Sequence, residues 1–341
     1  MKKLNKRNVR TAIAASIAML VLILDSKTAL SGAAEGIDLC LKTLVPSLFP
    51  YFVLSGLLTG ALYGQPFPFL RPVASLCGIP AGAASLFVVG LLGGYPAGAR
   101  NVSEMHRIGL LPGKQASRMI VFCNNAGPSF IFGILKPLFS DSAIPWLLWG
   151  IHILSAMTVG MILPRVPDDC HVRPSARQFR MNDVLYSSLH AMACVCGWVI
   201  LMRVVLNFLD QWILRLLPVT IQVALSGLLE LSNGCIRLTL LQEESLRFLI
   251  ASAMLALGGI CITLQTASVA DGVPMYLYFP GKLIQCCASI LLASLLCPLI
   301  FPGSPCPCYI AVAISATGIS VCMLSLRKFK NSSGIPAVVG V

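Results

Sequence analysis

One stretch limits the fold of this chain more than any other, the run GLLGGYPAGAR from Gly90 to Arg100. A helix enters it through Ala83 to Val89, but Gly93, Gly94, Pro96 and Gly98 follow within six positions. An interior glycine costs a helix about 1 kcal/mol relative to alanine and an interior proline about 3 kcal/mol, so a broken, reversing backbone is expected. The run is embedded in apolar sequence. Inside a membrane, non-helical backbone is tolerated only where protein buries it or it lines a watery cavity, so the break points to a solute site. A plain loop between two spans, with Arg100 at the interface, is the competing reading.

The surroundings are those of a membrane protein. Of 341 residues, 57% are hydrophobic and 11% charged, and the mean hydropathy is +0.84, well outside the range of soluble domains. The formal net charge is +12. It comes mainly from Lys2, Lys3, Lys6, Arg7 and Arg10, a central connection, and the tail Arg327, Lys328 and Lys330, a placement that suits cytoplasmic loops rather than nucleic acid. The expected class is therefore an all-α polytopic membrane protein, with the lipid bilayer as its surroundings and room for a homo-oligomer. Cys194, Cys196, Cys261, Cys286, Cys287 and Cys322 sit in apolar runs as small hydrophobes. Cys306 and Cys308 lack a nearby histidine, so no metal and no cofactor is expected.

In chain order, Ala12 to Leu24 is barely long enough to span. It is a tilted first helix or a signal-peptide core, with Ser31 to Ala34 imitating a cleavage site; an uncleaved signal-anchor is preferred because the rest is itself membrane. The segment Cys40 to Leu62 carries Pro46 and Pro50, both of which should kink it. Beyond the broken stretch, Arg100 to Arg118 reads as a polar loop with one amphipathic turn. The span Ala116 to Leu135 has Asn124, Asn125, Gly127, Pro128 and Ser129 near its centre. Ile144 to Leu163 follows, then the basic connection Pro164 to Asp183 with Arg165, Arg173, Arg177 and Arg180. The second half reads as a span Val184 to Leu209, an apolar run Leu216 to Leu229 ending at Glu230, and a polar span Leu246 to Ala270. Two spans near Leu283 to Phe301 and Tyr309 to Leu326 close it. The divisions are residues 1–43 (basic start and first helix), 44–163 (first repeat), 164–183 (cytoplasmic connection), 184–302 (second repeat) and 303–341 (last helix and tail).

The halves share an order of elements: kinked span, broken segment, charged loop, polar span, plain span. Placing Gly90-Leu91-Leu92 over Gly227-Leu228-Leu229 carries Arg100 onto Arg237. If each broken segment is a re-entrant hairpin, every strongly basic segment falls on the cytoplasmic side and the two repeats come out inverted. The expected architecture is an inverted-repeat, transporter-like bundle of about eight transmembrane helices with two re-entrant or broken helical hairpins. Ten full spans without hairpins is the alternative.

Where the broken segments and polar spans meet, they supply helix ends and the groups of Gly93, Gly94, Tyr95, Pro96, Asn124, Asn125, Gly127, Ser129, Asn233, Thr263, Gln265 and Thr266. Such a set suits a small polar solute, and freed N–H groups attract carboxylate or phosphate. Arg100 and Arg237 offer symmetric positive charge or ordinary snorkelling; Asn124 and Asn125 offer solute contact or helix-to-helix bonding. Glu230 is the acid nearest an interrupted element and the candidate for coupling to a proton or cation, with a membrane-edge role as its alternative. Asp271 is a weaker candidate. No enzyme is expected: His106, His152, His171 and His190 are dispersed and no hydrolase, P-loop or paired-carboxylate motif occurs.

The motifs LVPSLFPYFVLSGLL, GLLGGYPAGAR and CNNAGPSFIFGIL, with the looser second copy GLLELSNG and LGGICITLQT, resemble the sporulation integral membrane protein YlbJ type, within the nucleoside-recognition (Gate) domain group. The resemblance spans roughly Leu44 to Leu296. It implies a multi-pass protein of the outer forespore membrane that passes dipicolinic acid, a planar aromatic dianion, towards the spore. A nucleoside-type solute, or an assembly role in the spore envelope without transport, are the other functions in view.

Overall fold

The computed structural model describes residues 6–62, 68–166, 180–304, 311–313 and 315–322, and every regular element among them is helical. The first half holds α1 (Lys6–Leu24), α2 (Ser26–Leu39), α3 (Val45–Leu62), α4 (Arg71–Cys77), α5 (Ala84–Gly93), α6 (Ala97–Arg107), α7 (Gly113–Cys123), the single turn α8 (Pro128–Phe130) and α9 (Ile144–Ile162). The second holds α10 (Met181–Trp212), α11 (Val219–Leu229), α12 (Leu231–Arg237), α13 (Glu244–Leu257), α14 (Gly259–Val269) and α15 (Tyr278–Ile300).

Six stretches are long and apolar enough to cross a bilayer: Ser26–Leu62, Gly113–Leu138, Ile144–Ile162, Met181–Trp212, Glu244–Val269 and Tyr278–Ile300. Large apolar side chains such as Ile17, Leu20, Leu201 and Leu299 face outward, as expected where lipid replaces water as the solvent. Against the eight expected spans, the apolar part of α1, Asn8–Leu24, is a shorter helix. The last expected span and most of the Pro164 to Asp183 connection lie partly outside the described residues.

Two expectations need correcting. The second segment starts at Ser26 rather than Cys40, because Gly32 and Gly36 form a small face that lets α2 lie directly on α10. A Cβ built on either would stand 2.8 Å from a backbone Cα of Val204 or Ile200, which is small-residue packing of membrane helices. Glu35 and Arg203 pair across the same contact. The polar stretch Arg100 to Arg118 is helix rather than loop, apart from 108–112. Its apolar positions Val102 and Met105 and the small Ala99 fall on one buried face, and Leu111 tucks under the connection.

Proline does not simply kink these helices. Pro46 has no N–H for the preceding turn, and the helix widens just before it into the π-turn Cys40–Leu44, where the N–H of Val45 donates to the carbonyl of Cys40. The same happens ahead of Pro137, in Ile131–Leu135, with the N–H of Lys136 reaching the carbonyl of Ile131. At the centre, α15 packs between α9 and α13 and touches α7, while α10 runs along α2 and crosses α3 and α14.

Candidate functional site at four helix breaks

Four elements stop and restart inside the protein. The first break, Gly94 to Pro96, separates α5 from α6; Gly94 takes φ +77°, a conformation open to glycine. The second, Asn124 to Gly127, separates α7 from α8, with Pro128 opening the new turn. The third is one extended residue, Glu230, between α11 and α12. The fourth is Gly258, left-handed at φ +74°, between α13 and α14. The first two were legible as glycine and proline clusters, the third as the interrupted end of the Leu216 to Leu229 run, and the fourth only as the pair Gly258-Gly259 inside the span Leu246 to Ala270.

The breaks are forced together by backbone contact. A Cβ on Gly90 would lie 1.8 Å from the carbonyl oxygen of Cys123, and one on Gly98 2.0 Å from the same atom. Gly94 and Gly127 face each other, since a Cβ on Gly127 would come within 3.0 Å of Gly94. In the second half a Cβ on Gly234 would sit 2.2 Å from Gly227 Cα, and one on Gly259 2.7 Å from the Gly227 carbonyl oxygen.

One small cavity touches the first three and the helix that follows the fourth. Tyr95 comes from the first break, Gly127 from the second, Glu230 and Ser232 from the third and Gln265 from α14; Leu48 and Val195 are among the apolar residues closing it from α3 and α10. Its volume is about 20 Å³, room for about one water. Glu230 is 1% exposed. Its carboxylate accepts from the N–H groups of Ser232 (3.0 Å) and Asn233 (2.7 Å) and from Asn233 Nδ2 (2.7 Å), so it caps α12 from within the break.

Asn124 ties three elements. Its Oδ1 accepts from the N–H of Ala99 in the first turn of α6 (3.3 Å), and its Nδ2 donates to Thr266 Oγ1 (2.8 Å) and the Tyr278 hydroxyl (3.1 Å). Asn125 donates to the Phe122 carbonyl and accepts from Gln285 Nε2 (2.9 Å). His152 Nε2 accepts from the N–H of Ala126 (2.9 Å), supplying the partner that the broken helix withholds. Both asparagines thus make helix-to-helix bonds in this conformation.

Other expected residues are placed elsewhere. Arg100 donates to the Phe52 carbonyl (3.1 Å) and Ser188 Oγ (3.3 Å). Arg237 forms a two-pronged ion pair with Asp210. Thr263 Oγ1 bonds back to the Gly259 carbonyl, and the Ser129 hydroxyl is buried without a partner. Asp271 is exposed. Gly93 and Pro96 are buried beside the first break. Among the described residues no group of His, Cys, Asp and Glu side chains is arranged to hold a metal ion; Cys306 and Cys308 lie outside them.

The sequence reading missed Lys282. It is 1% exposed, and its ammonium donates to the Asn124 carbonyl (2.6 Å), Gln285 Oε1 (2.8 Å) and the Tyr95 hydroxyl (3.2 Å). The rings of Tyr95 and Tyr278 stand 5.0 and 5.7 Å from it. The signal was present: Lys282 is the one Lys or Arg in the 278–300 run, and an ionisable residue within a span is a functional candidate by default. Starting that span at Leu283 put the lysine just outside it, whereas the helix begins at Tyr278.

No family model matches the chain, and no solved structure matches it. It is similar to "Sporulation integral membrane protein YlbJ" of Bacillus subtilis (strain 168), at 24% identity over 336 aligned residues, covering 83% of this chain and 81% of that protein.

Proposed function

We propose that this chain is a sporulation-associated carrier that moves a small polar or anionic solute across a membrane by opening the cavity at the helix breaks alternately to each side. The observation that carries the reading is the meeting of three interruptions and the helix that follows the fourth at one small cavity, where Tyr95, Glu230, Ser232 and Gln265 stand among apolar side chains, the placement expected of a transporter site. Dipicolinic acid, crossing the outer forespore membrane, is the preferred solute, on the strength of the likeness to a sporulation integral membrane protein; a nucleoside-type solute is the other candidate.

The repeat assignment has support in how the halves are built. Gly90 and Gly227, aligned at the start, both sit at close main-chain approaches, Gly90 against the Cys123 carbonyl and Gly227 under Gly234 and Gly259. Arg100 and Arg237, also aligned, each reach the long helix that opens their half, Arg100 at Phe52 of α3 and Arg237 at Asp210 of α10. An inverted pair of repeats accounts for both.

A second reading, a spore-envelope assembly factor without transport, draws on the cavity size. Ligand pockets usually measure roughly 300–1,000 Å³, and about 20 Å³ admits no solute; a carrier caught sealed and a protein that never opens both fit. Uptake of labelled dipicolinate into vesicles containing the purified protein separates them. Asn124→Ala with Asn125→Ala removes bonds worth about 1–3 kcal/mol each and should cut uptake at least about tenfold. Full transport by that double variant would move the solute site elsewhere, and no uptake of dipicolinate or nucleosides by the unaltered protein would favour the assembly role.

A further inference from the structure

Three charged side chains among the described residues are fully buried: Arg118, Glu230 and Lys282. Arg118 donates to the carbonyls of Cys77, Gly78 and Gly160. It staples the end of α4 to α7 and α9, away from the cavity, and a guanidinium holds its proton permanently. Glu230 is spent on capping α12. Lys282 differs from both, because two of its three partners, Tyr95 and the Asn124 carbonyl, belong to helix breaks.

An ammonium has three N–H donors, and those of Lys282 are all used. One goes to the Asn124 carbonyl, freed where α7 stops; one to Tyr95 in the first break; one to Gln285 on its own helix. The C-terminal end of α7 also turns the negative pole of its dipole towards the cation. No carboxylate pairs with Lys282 among the described residues. The titratable groups around it are Tyr95 from the first break, Cys123 at the end of α7, His152 on α9, and Tyr278 on its own helix. The buried face of α13, which packs against α15, carries no ionisable side chain. The charge is therefore balanced only by dipoles and aromatic faces, and removing its proton leaves no carboxylate stranded. Desolvating an ammonium costs several kcal/mol, a poor bargain for mere packing at a place where Leu or Met would fit.

We propose that Lys282 is the proton-binding site of this chain, a latch whose charged form ties both first-half breaks to α15 and keeps the cavity shut, and whose neutral form releases them. On release the proton passes from Nζ to a water on whichever side is opening, leaving an amine with two N–H donors for three acceptors; the amine takes a proton back from water before the cavity reseals. In the carrier reading, on which only this consequence rests, the coupling ion is H⁺.

The test uses full-length protein in lipid vesicles, with the native cysteines replaced and Leu48→Cys, which lines the cavity, as the reporter of opening to a soluble maleimide. Labelling is taken throughout relative to that of Asp271→Cys, an exposed position, at the same pH, which removes the pH dependence of the thiol's own ionisation; so expressed, it should rise about tenfold per pH unit in the parent, the slope of a single proton. It should be fast and flat with pH in Lys282→Met, and slow and flat in Lys282→Arg, each checked for folding by size-exclusion profile. Tyr95→Phe removes one acceptor while keeping the lysine, and should open at lower pH; it serves if the other two do not fold. A parent whose labelling ignores pH, or a Lys282→Met variant that keeps the pH slope, overturns the latch. A second arm measures dipicolinate uptake under an imposed pH gradient. Uptake that ignores the gradient overturns the coupling while leaving the solute reading intact; no uptake at all, with the labelling pattern as expected, keeps the latch and removes the solute reading.

Discussion

Adding one methyl group at Gly90 tests the convergence of the breaks directly. A Cβ there would stand 1.8 Å from the Cys123 carbonyl oxygen and 2.9 Å from its carbon, so α5 and α7 must part by more than 1 Å to restore an ordinary contact. The obstructing atoms are backbone and cannot rotate away. Overpacking of this kind costs about 1–3 kcal/mol, and Gly90→Ala belongs at the top of that range. Gly150 in α9 and Gly197 in α10 supply the contrast, since a Cβ on either meets nothing within 4 Å. There the same methyl should stabilise by about 0.5–1 kcal/mol through helix propensity. Gly90→Ala should therefore separate from the other two single-methyl variants by roughly 3.5–4 kcal/mol, with opposite signs. Thermal unfolding in detergent, followed by loss of the monodisperse peak, ranks them without assuming reversibility. If Gly90→Ala melts together with Gly150→Ala and Gly197→Ala, the backbone contact between α5 and the end of α7 does not exist, and the breaks do not share a cavity.

The two other buried or half-buried arginine sites give separate outcomes. Arg118→Met removes the guanidinium from the carbonyls of Cys77 and Gly160, at about 1–3 kcal/mol each, while Gly78 keeps its bond from Gln115 Nε2, and it should lower the melting temperature in the same assay. Arg118→Lys should rescue little, because a point charge cannot serve a planar fork of acceptors; full rescue would refute that role. Asp210→Asn should cost about 1 kcal/mol by loosening the pair with Arg237, with recovery in the exchanged pair Asp210→Arg with Arg237→Asp. Failure of the exchange to recover stability would show that the surroundings of α10 and α12, rather than the pairing itself, set the cost.

What could be read from the sequence follows from how local each signal is. Glycine and proline act on their own backbone, so Gly94, Pro96, Gly127, Pro128 and Gly258 announced three of the four breaks without tertiary information. The third break has no such residue at its turning point. Glu230 stops α11 by capping the helix that follows, and an interruption there could be read only indirectly, from the match of Gly227-Leu228-Leu229 to Gly90-Leu91-Leu92. The helix over 97–107 was hidden because its buried face is made of alanine, valine and methionine between charges. Lys282 was hidden by a boundary five residues late, and the cavity volume depends on how Leu48, Val195 and their neighbours pack, which no local pattern encodes.

The glycine contacts also decide where this protein can bend. Gly90 and Gly98 press main chain against the Cys123 carbonyl, and Gly227 presses against Gly234 and Gly259 with the Met254 side chain packed on it, so each half holds a clamp built on direct main-chain contact. Between the clamps, by contrast, the joints are side-chain tips: the Tyr95 hydroxyl on the Leu255 carbonyl and Asn124 on Thr266. That seam is where the carrier proposed above would open, parting the two clamps with their main-chain contacts intact.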